Sequence, residues 1–289
     1  MTELFAFLIT GITIGFVYAL VGMGFTVIYN SSGIINFAQG EFVMAGGMIS
    51  VFLIASGSPT ILAYILAIIV TAALGVILWK LTDFSKDSSQ VSLIILTLGY
   101  AIFLRGLAEV VFDKELHTLK PLLGNGSIEL FGTVVSYQML LIIVVSILIV
   151  IALWIFFNKT WLGKAMVAAS QNVDSAKLMG INISKILMLN YTIAATIAAI
   201  AGILLTPITS TNYEVGMMLG LKGFAAAIVG GLSNPFGAVV GGLLLGVMET
   251  LVAGYISSEY KDAVAFIIML LILFFRPGGI FSTTKAERV

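Results

Sequence analysis

The sequence predicts an all-α fold, a polytopic transmembrane helical bundle with about eight to nine membrane segments. Of its 289 residues, 60% are hydrophobic and only 10% are charged, whereas soluble domains carry about 25% charged residues. The mean hydropathy is +1.14, and the 30 glycines suit helices that pack closely in lipid. We therefore expect one transmembrane domain over residues 1–289.

Long apolar runs recur along the whole chain and define the expected membrane segments. Several are long enough to cross roughly 30 Å of hydrocarbon. Two of the later runs are short, so broken or re-entrant segments are expected among them, and the number of crossings stays open. The runs cover residues 5–29, 34–54, 61–79, 91–112, 136–157, 186–205, 219–231, 237–251 and 263–275.

Basic residues near the ends of membrane segments mark the cytoplasmic side of a membrane protein. The opposite set of loops holds only Lys114, Lys120 and Lys261. This asymmetry predicts that the loop 158–185 and the C-terminus are cytoplasmic and that the N-terminus is outside. The basic residues of the cytoplasmic set are Lys80, Lys86, Lys159, Lys164, Lys177, Lys185, Arg276, Lys285 and Arg288.

The loop 158–185 is the longest polar-rich interval between apolar runs, and we interpret it as a docking point. Residues 165–179 form one predicted amphipathic helix, which Gly180 is placed to end. An ordinary solvated loop helix is the alternative. The small or apolar face consists of Ala165, Ala168, Ala169, Ala176 and Met179. The polar face consists of Lys164, Gln171, Asn172, Asp174 and Lys177.

Two glycine-bracketed polar breaks interrupt the apolar pattern. The first, GIINFAQGE at residues 33–41, contains Asn36, Gln39 and Glu41, and the second, GLSNPFG at residues 231–237, contains Asn234 and Pro235. Broken helices at membrane depth line cavities or lie buried in protein, and they commonly build substrate sites. The alternative is that both breaks are cytoplasmic turns between hairpin helices.

Isolated charges also fall within the apolar runs. Arg105 and Glu109 are four residues apart on one predicted helix, so we expect them to pair with each other. Glu41, Lys222 and Glu249 have no partner nearby in the sequence and are expected to face the bundle interior.

Several chemistries have no support in the sequence. Zero net charge gives nucleic acid no attraction, and the absence of cysteine excludes disulfides and thiolate metal sites. No phosphate-binding Gly-x-x-x-x-Gly-Lys-Ser/Thr, no metal-ligating histidine pair and no Gly-x-Ser-x-Gly elbow is present. We therefore expect a non-catalytic chain without a cofactor of its own.

Three blocks of sequence resemble one known family. They are GITIGFVYALVGMGFTVIYNSSGIINFAQGEFVMAGG, GKAMVAASQNVDSAKLMGI and GLKGFAAAIVGGLSNPFGAVVGGLLLGVMETL. Together they resemble the LivH-type permease subunit of branched-chain amino-acid ABC importers, in order and over nearly the whole chain. The resemblance implies a multi-pass protein of a bacterial or archaeal plasma membrane.

The resemblance also implies partners and a mechanism. It implies a second, LivM-like permease, two LivG/LivF-like ATPases that bind ATP and Mg²⁺, and an extracytoplasmic substrate-binding protein. Residues 165–180 would then be the coupling helix of an alternating-access importer.

We expect the first polar break, residues 36–41, to line the substrate pathway, with Asn234 and Pro235 of the second break as a further candidate. There Asn36 and Gln39 are expected to bind a polar headgroup, while Phe37 and Phe42 accept an aliphatic side chain. Relatives of this type also move urea, short amides or aromatic acids, and an ion-coupled secondary transporter or a purely structural subunit are the remaining alternatives.

Overall fold

A computed structural model of the chain describes residues 2–85, 88–130 and 132–281. Lys86, Lys285 and Arg288, which were assigned to the cytoplasmic side from the sequence, lie outside these residues. The helices are α1 (Thr2–Ser32), α2 (Gln39–Ala55), α3 (Thr60–Phe84), α4 (Gln90–Phe112), α5 (Tyr137–Lys159), α6 (Trp161–Gln171), α7 (Val173–Leu178), α8 (Ile183–Thr209), α9 (Val215–Gly230), α10 (Pro235–Tyr255) and α11 (Lys261–Phe275).

The structure confirms a helical membrane bundle. Within the described ranges, six helices are long and apolar enough to cross a membrane: α1, α3, α4, α5, α8 and α10. The apolar helices α2 and α9 are shorter, with 17 and 16 residues, and α11 has 15. The short runs expected at residues 219–231 and 237–251 therefore correspond to one short helix and one of full length.

Helix α1 lies at the centre of the bundle, where it packs antiparallel to α10. Their backbones approach so closely that a Cβ added at Gly246 would lie 2.4 Å from backbone atoms of Gly15. Only glycine permits this contact, because any side chain would push the two helices apart. The glycine-rich composition thus reflects close helix packing.

The two ends of the bundle are distinct, and we call them the α6 end and the hairpin end. At the α6 end, residues from the end of α1, the end of α5, α6, α8 and the start of α10 line one cavity. At the hairpin end, two short strands, β1 (Ser127–Leu130) and β2 (Thr133–Ser136), pair antiparallel. This hairpin was not predicted from the sequence, and all of it except Ser136 lies between the apolar runs 91–112 and 136–157.

A buried ion cluster joins α1, α9, α10 and α11. The Nζ of Lys222 donates to Glu249 Oε1 at 2.7 Å, to Asp262 Oδ1 at 2.6 Å and to the Tyr18 hydroxyl at 3.1 Å. The Tyr18 hydroxyl in turn donates to Glu249 Oε2 at 2.9 Å. Burial of Lys222 and Glu249 agrees with the prediction that they face the bundle interior, and all three ammonium protons have acceptors.

Candidate functional site

Residues 33–38 form a non-helical break between α1 and α2. The side-chain oxygen of Asn36 accepts a hydrogen bond from the Ala38 amide at 3.0 Å. The Phe37 amide donates to Thr97 Oγ1 on α4 at 3.3 Å. Asparagine commonly closes a turn through such a bond to a backbone amide two residues ahead. The break is therefore held by its own polar groups and by α4.

The break lies well inside the bundle. The side-chain amide of Gln39 donates a hydrogen bond of 3.0 Å to the carbonyl of Ala194 on α8. Ala194 follows the start of α8 by eleven residues, which is about 17 Å along a helix. Asn36, Gln39 and Phe42 are fully buried. These three side chains point into protein, whereas Phe37 and Glu41 line a cavity.

That space is a 290 Å³ cavity between α4 and α9, with α1 and α2 at its base. Its apolar wall consists of three phenylalanine rings. The ring of Phe224 lies 5.5 Å from that of Phe25 and 5.8 Å from that of Phe37, measured between centroids. Its charged wall consists of Glu41 and Arg105. The cavity thus combines an aromatic region with one positive and one negative group.

Arg105 and Glu41 form an ion pair at 2.5 Å between Nη2 and Oε1. The expected pairing of Arg105 with Glu109 is wrong, since Glu109 pairs with Lys114 at 2.6 Å outside the cavity. The spacing of four residues does place Arg105 and Glu109 near each other on α4. The guanidinium of Arg105 pairs instead with Glu41, because a buried carboxylate is costly without an opposite charge beside it. Glu41 faces the interior as predicted.

A second cavity, of 450 Å³, lies at the α6 end. Asn234 and Pro235 of the second break both line it. The side chain of Asn234 accepts hydrogen bonds from the amides of Phe236 and Gly237 at 3.0 and 3.2 Å, and Pro235 is the first residue of α10. The second break is therefore a capped turn between α9 and α10.

The loop 158–185 contains two helices, α6 and α7, where one helix over residues 165–179 was predicted. Asn172 separates them, and its side chain accepts a hydrogen bond from the Ser175 amide at 2.9 Å to begin α7. Asparagine favours such a cap over a place inside a helix, which explains the interruption. Gly180 has a φ of 79° just beyond α7 and ends it as expected.

The small-residue face of this loop turns toward the chain's own helices. Ala165, Ala169 and Ala176 are buried in a cluster with Ile186 of α8. An amphipathic pattern identifies an apolar face but not which surface it contacts. The exposed predicted residues are Lys164, Ala168, Asp174, Lys177 and Gly180.

Several large apolar side chains of the loop are exposed instead, and two at the end of α7 are the most exposed. Leu178 is 89% exposed and Met179 is 83% exposed. The sequence interpretation placed Met179 on the apolar face and assigned Leu178 no role. Their position at the end of a short helix, next to a polar loop, was the available signal. The sequence analysis likewise missed Phe25, Phe224 and the pairing of Arg105 with Glu41.

The fold and these sites define a class: an integral membrane protein whose helices enclose cavities with polar and charged walls. The chain belongs to the family described as the permease component of branched-chain amino acid transport systems, whose model matches residues 7–273. The family is one of transport permease subunits.

Relatives along the full chain support this assignment. The chain is 35% identical to the high-affinity branched-chain amino acid transport system permease protein BraD of Pseudomonas aeruginosa, with 98% of this chain and 97% of that protein covered. It is 34% identical to the corresponding protein LivH of Salmonella typhimurium, with 96% of each covered. Among solved structures, a chain of PsaBC from Streptococcus pneumoniae matches with a TM-score of 0.52 and 15% identity, over 95% of this chain and 92% of that one. This last likeness concerns the fold alone.

Proposed function

We propose that the chain is a transmembrane subunit of an ABC importer that moves branched-chain amino acids into the cytoplasm. The observation that carries the proposal is the 35% identity to a branched-chain amino acid permease over 98% of this chain. The cavity between α4 and α9 supports it, since aromatic rings and an ion pair lie side by side there. An aliphatic amino acid needs both kinds of contact.

A second, LivM-like permease would cover the open side of this cavity. Arg105 keeps 28% of its side chain exposed, beside Ile102, which is 68% exposed on the same helix. A charged side chain that faces lipid is costly, so another protein surface is expected here. Glycines at 99 and 106 on α4 have no neighbour within 4 Å of an added Cβ, and small residues favour close helix contacts in lipid.

The loop formed by α6 and α7 would dock the LivG/LivF-like ATPases, which bind ATP and Mg²⁺. Exposed Leu178 and Met179 supply apolar contacts to a partner, and exposed Lys164, Asp174 and Lys177 supply polar ones. Buried Ala165, Ala169 and Ala176 join the loop to α8. A displacement of the loop by the ATPases would therefore move α8, which holds the break through the bond from Gln39 to Ala194.

The substrate would pass through the two cavities by alternating access. Phe37 of the break lines the first cavity, while Asn30 and Ser31, just before the break, line the second with Asn234 and Pro235. The α6 end would be cytoplasmic and the N-terminus outside, with an extracytoplasmic binding protein at the hairpin end. Lys80, Lys159, Lys164, Lys177, Lys185 and Arg276 lie in segments that meet at the α6 end, which supports this orientation.

The test is uptake of radiolabelled L-leucine into proteoliposomes that contain the chain, a LivM-like permease and both ATPases, with loaded binding protein outside. We expect uptake that requires ATP inside and stops when an ATPase is omitted. Urea, a short amide and an aromatic acid, each with its own binding protein, test the other substrate classes. Leucine uptake driven by an ion gradient through the chain alone would overturn the proposal in favour of a secondary transporter.

A further inference from the structure

The ion pair in the cavity joins Arg105 and Glu41 through a single N–H···O contact. Arg105 reaches Glu41 through Nη2 alone, and its Nη1 contacts only the sulfur of Met217 at 3.5 Å. Arg105 Nε and Glu41 Oε2 are both buried, and neither has a hydrogen-bond partner among the residues that the structure describes. Nearly all buried polar atoms in proteins have partners, so two unpaired atoms on one ion pair require an explanation.

Glu41 is closely packed and deeply buried. A Cβ at Gly216 would lie 2.6 Å from Glu41 Oε2, so only glycine fits beside this oxygen. The side chain of Glu41 is only 2% exposed. A carboxylate this deeply buried is costly unless a positive group is present. The ionised form of Glu41 therefore needs a cation beside it, and a ligand that displaces Arg105 must supply one.

We propose that Arg105 and Glu41 are the recognition pair for the zwitterionic head of the transported amino acid. Arg105 binds the α-carboxylate through its planar N–H fork, and Glu41 accepts hydrogen bonds from the α-ammonium group. The branched side chain then lies among the rings of Phe25, Phe37 and Phe224. This inference rests on the proposed function, and it assigns the atoms that select the substrate class.

The charge balance favours this exchange. In the empty cavity Arg105 and Glu41 neutralise each other, and with a zwitterion bound each of them faces an opposite charge of the ligand. The site is electrically neutral in both states, so neither state leaves an isolated charge in a medium of low dielectric. A guanidinium also suits carboxylates through two parallel hydrogen bonds, which the present single contact leaves available.

Ligands that lack one charge break this balance. An amine such as 3-methylbutylamine would leave the site with one positive charge in excess. The anion 4-methylpentanoate would leave one negative charge in excess. Both keep the branched side chain of leucine, so they separate head-group recognition from apolar contact. Loss of one charge-assisted contact should weaken binding about tenfold or more.

The experiment measures binding of radiolabelled L-leucine to the full complex in nanodiscs, without binding protein, in nucleotide-free and vanadate-trapped states. The two analogues serve as competitors. We expect the wild-type complex to bind leucine at least about tenfold more tightly than either analogue in one of the two states. Absence of leucine binding in both states, or equal binding of all three ligands, would overturn the proposal.

Two variants that each remove one charge of the pair provide the decisive readout. Glu41→Gln leaves Arg105 unpaired, so the preference should shift from leucine toward 4-methylpentanoate. Arg105→Gln leaves Glu41 unpaired, so the preference should shift toward 3-methylbutylamine. An ion pair that only joins α2 to α4 would change the affinity for all three ligands by the same factor, and that result would also overturn the proposal.

The matched control is Glu109→Gln, which removes a carboxylate from another ion pair on α4, with Lys114 and outside the cavity. It should keep the wild-type order of ligands. If the cavity variants fail to assemble, the wild-type series of three ligands still decides the question. ATP-driven leucine uptake by the wild type separates the two ideas. Uptake without selective binding rejects this pair alone, whereas no uptake rejects the proposed function.

Discussion

The side-chain amide of Gln39 ties the first turn of α2 to the middle of α8 through its 3.0 Å hydrogen bond to the Ala194 carbonyl. This contact depends on a third helix, because Gln39 lies directly against Gly24 of α1. A Cβ at Gly24 would lie in severe overlap with the Gln39 amide. The break between α1 and α2 is thus held in place by a side chain that fits only beside glycine.

Gly24→Ala is therefore expected to displace Gln39 and to destabilise the chain. Overpacking of a filled interior costs about 1–3 kcal/mol, so the thermal unfolding midpoint of the purified protein in detergent should fall. Gly106→Ala is the matched control, because an added Cβ there meets nothing within 4 Å. Equal midpoints for the two variants would contradict the role given to Gln39.

The exposed end of α7 should matter for coupling to the ATPases. Leu178→Glu combined with Met179→Glu should abolish stimulation of ATP hydrolysis by loaded binding protein, because both side chains are exposed and available to a partner. The stability of the chain itself should not change. The same variant should also reduce co-purification with the ATPases, whereas Leu116→Glu, at a residue that is 72% exposed at the other end of the bundle, should leave that co-purification intact.

Buried Ala169 provides the contrasting variant in the same loop. Ala169→Glu should lower the stability of the loop, because this side chain packs against the chain's own helices. Normal coupling in the Leu178 and Met179 variant, with lost coupling only in unstable loop variants, would argue against an apolar contact with the ATPases.

Removal of the ammonium group from the buried ion cluster should be strongly destabilising. Lys222→Met leaves Glu249 buried without its cation, and breaking such a pair costs about 3–5 kcal/mol. Lys261→Met, at an exposed lysine at the start of α11, should have little effect. The double variant Lys222→Met, Glu249→Gln should regain part of the lost stability in thermal unfolding, since no unpaired charge then remains on α9 or α10.

The outer face of α4 should form the contact with the second permease. Gly99→Leu and Gly106→Leu add bulk where the isolated chain has open space, so they should leave its own stability unchanged and reduce co-purification with the partner. Ala152→Leu adds the same bulk at an exposed position of α5 and serves as the control. Full retention of the partner by both α4 variants would place the contact elsewhere.

The sequence predicted the class of fold because hydrophobic length and composition are sufficient for it. It also predicted that Glu41, Lys222 and Glu249 face inward, since charge in lipid is costly whatever the fold. The sequence could not predict their partners, because Arg105 lies 64 residues from Glu41 along the chain and Lys222 lies 27 residues from Glu249. Pairing at such separations depends on how helices are arranged.

The candidate sites were predicted only in outline. Sequence analysis located the first break, but it could not separate buried Asn36, Gln39 and Phe42 from Phe37 and Glu41, which line the cavity. Successive side chains of one short segment point in different directions and contact different helices. The sequence alone does not show which helix each side chain meets. The loop 158–185 shows the same difficulty, because a face of small residues suits the chain's own bundle as well as a partner.

The buried ion cluster also bears on how the chain enters the bilayer during its synthesis. Lys222 and Glu249 lie on consecutive helices, α9 and α10, which only residues 231–234 separate. A single charge at the centre of an inserting helix costs about 2.5–3.5 kcal/mol. If the two helices leave the translocon as one hairpin, lysine and glutamate enter already neutralised. Helix α11 enters the bilayer afterwards. The hydrogen bond that Lys222 donates to Asp262 then joins α11 to the inserted bundle.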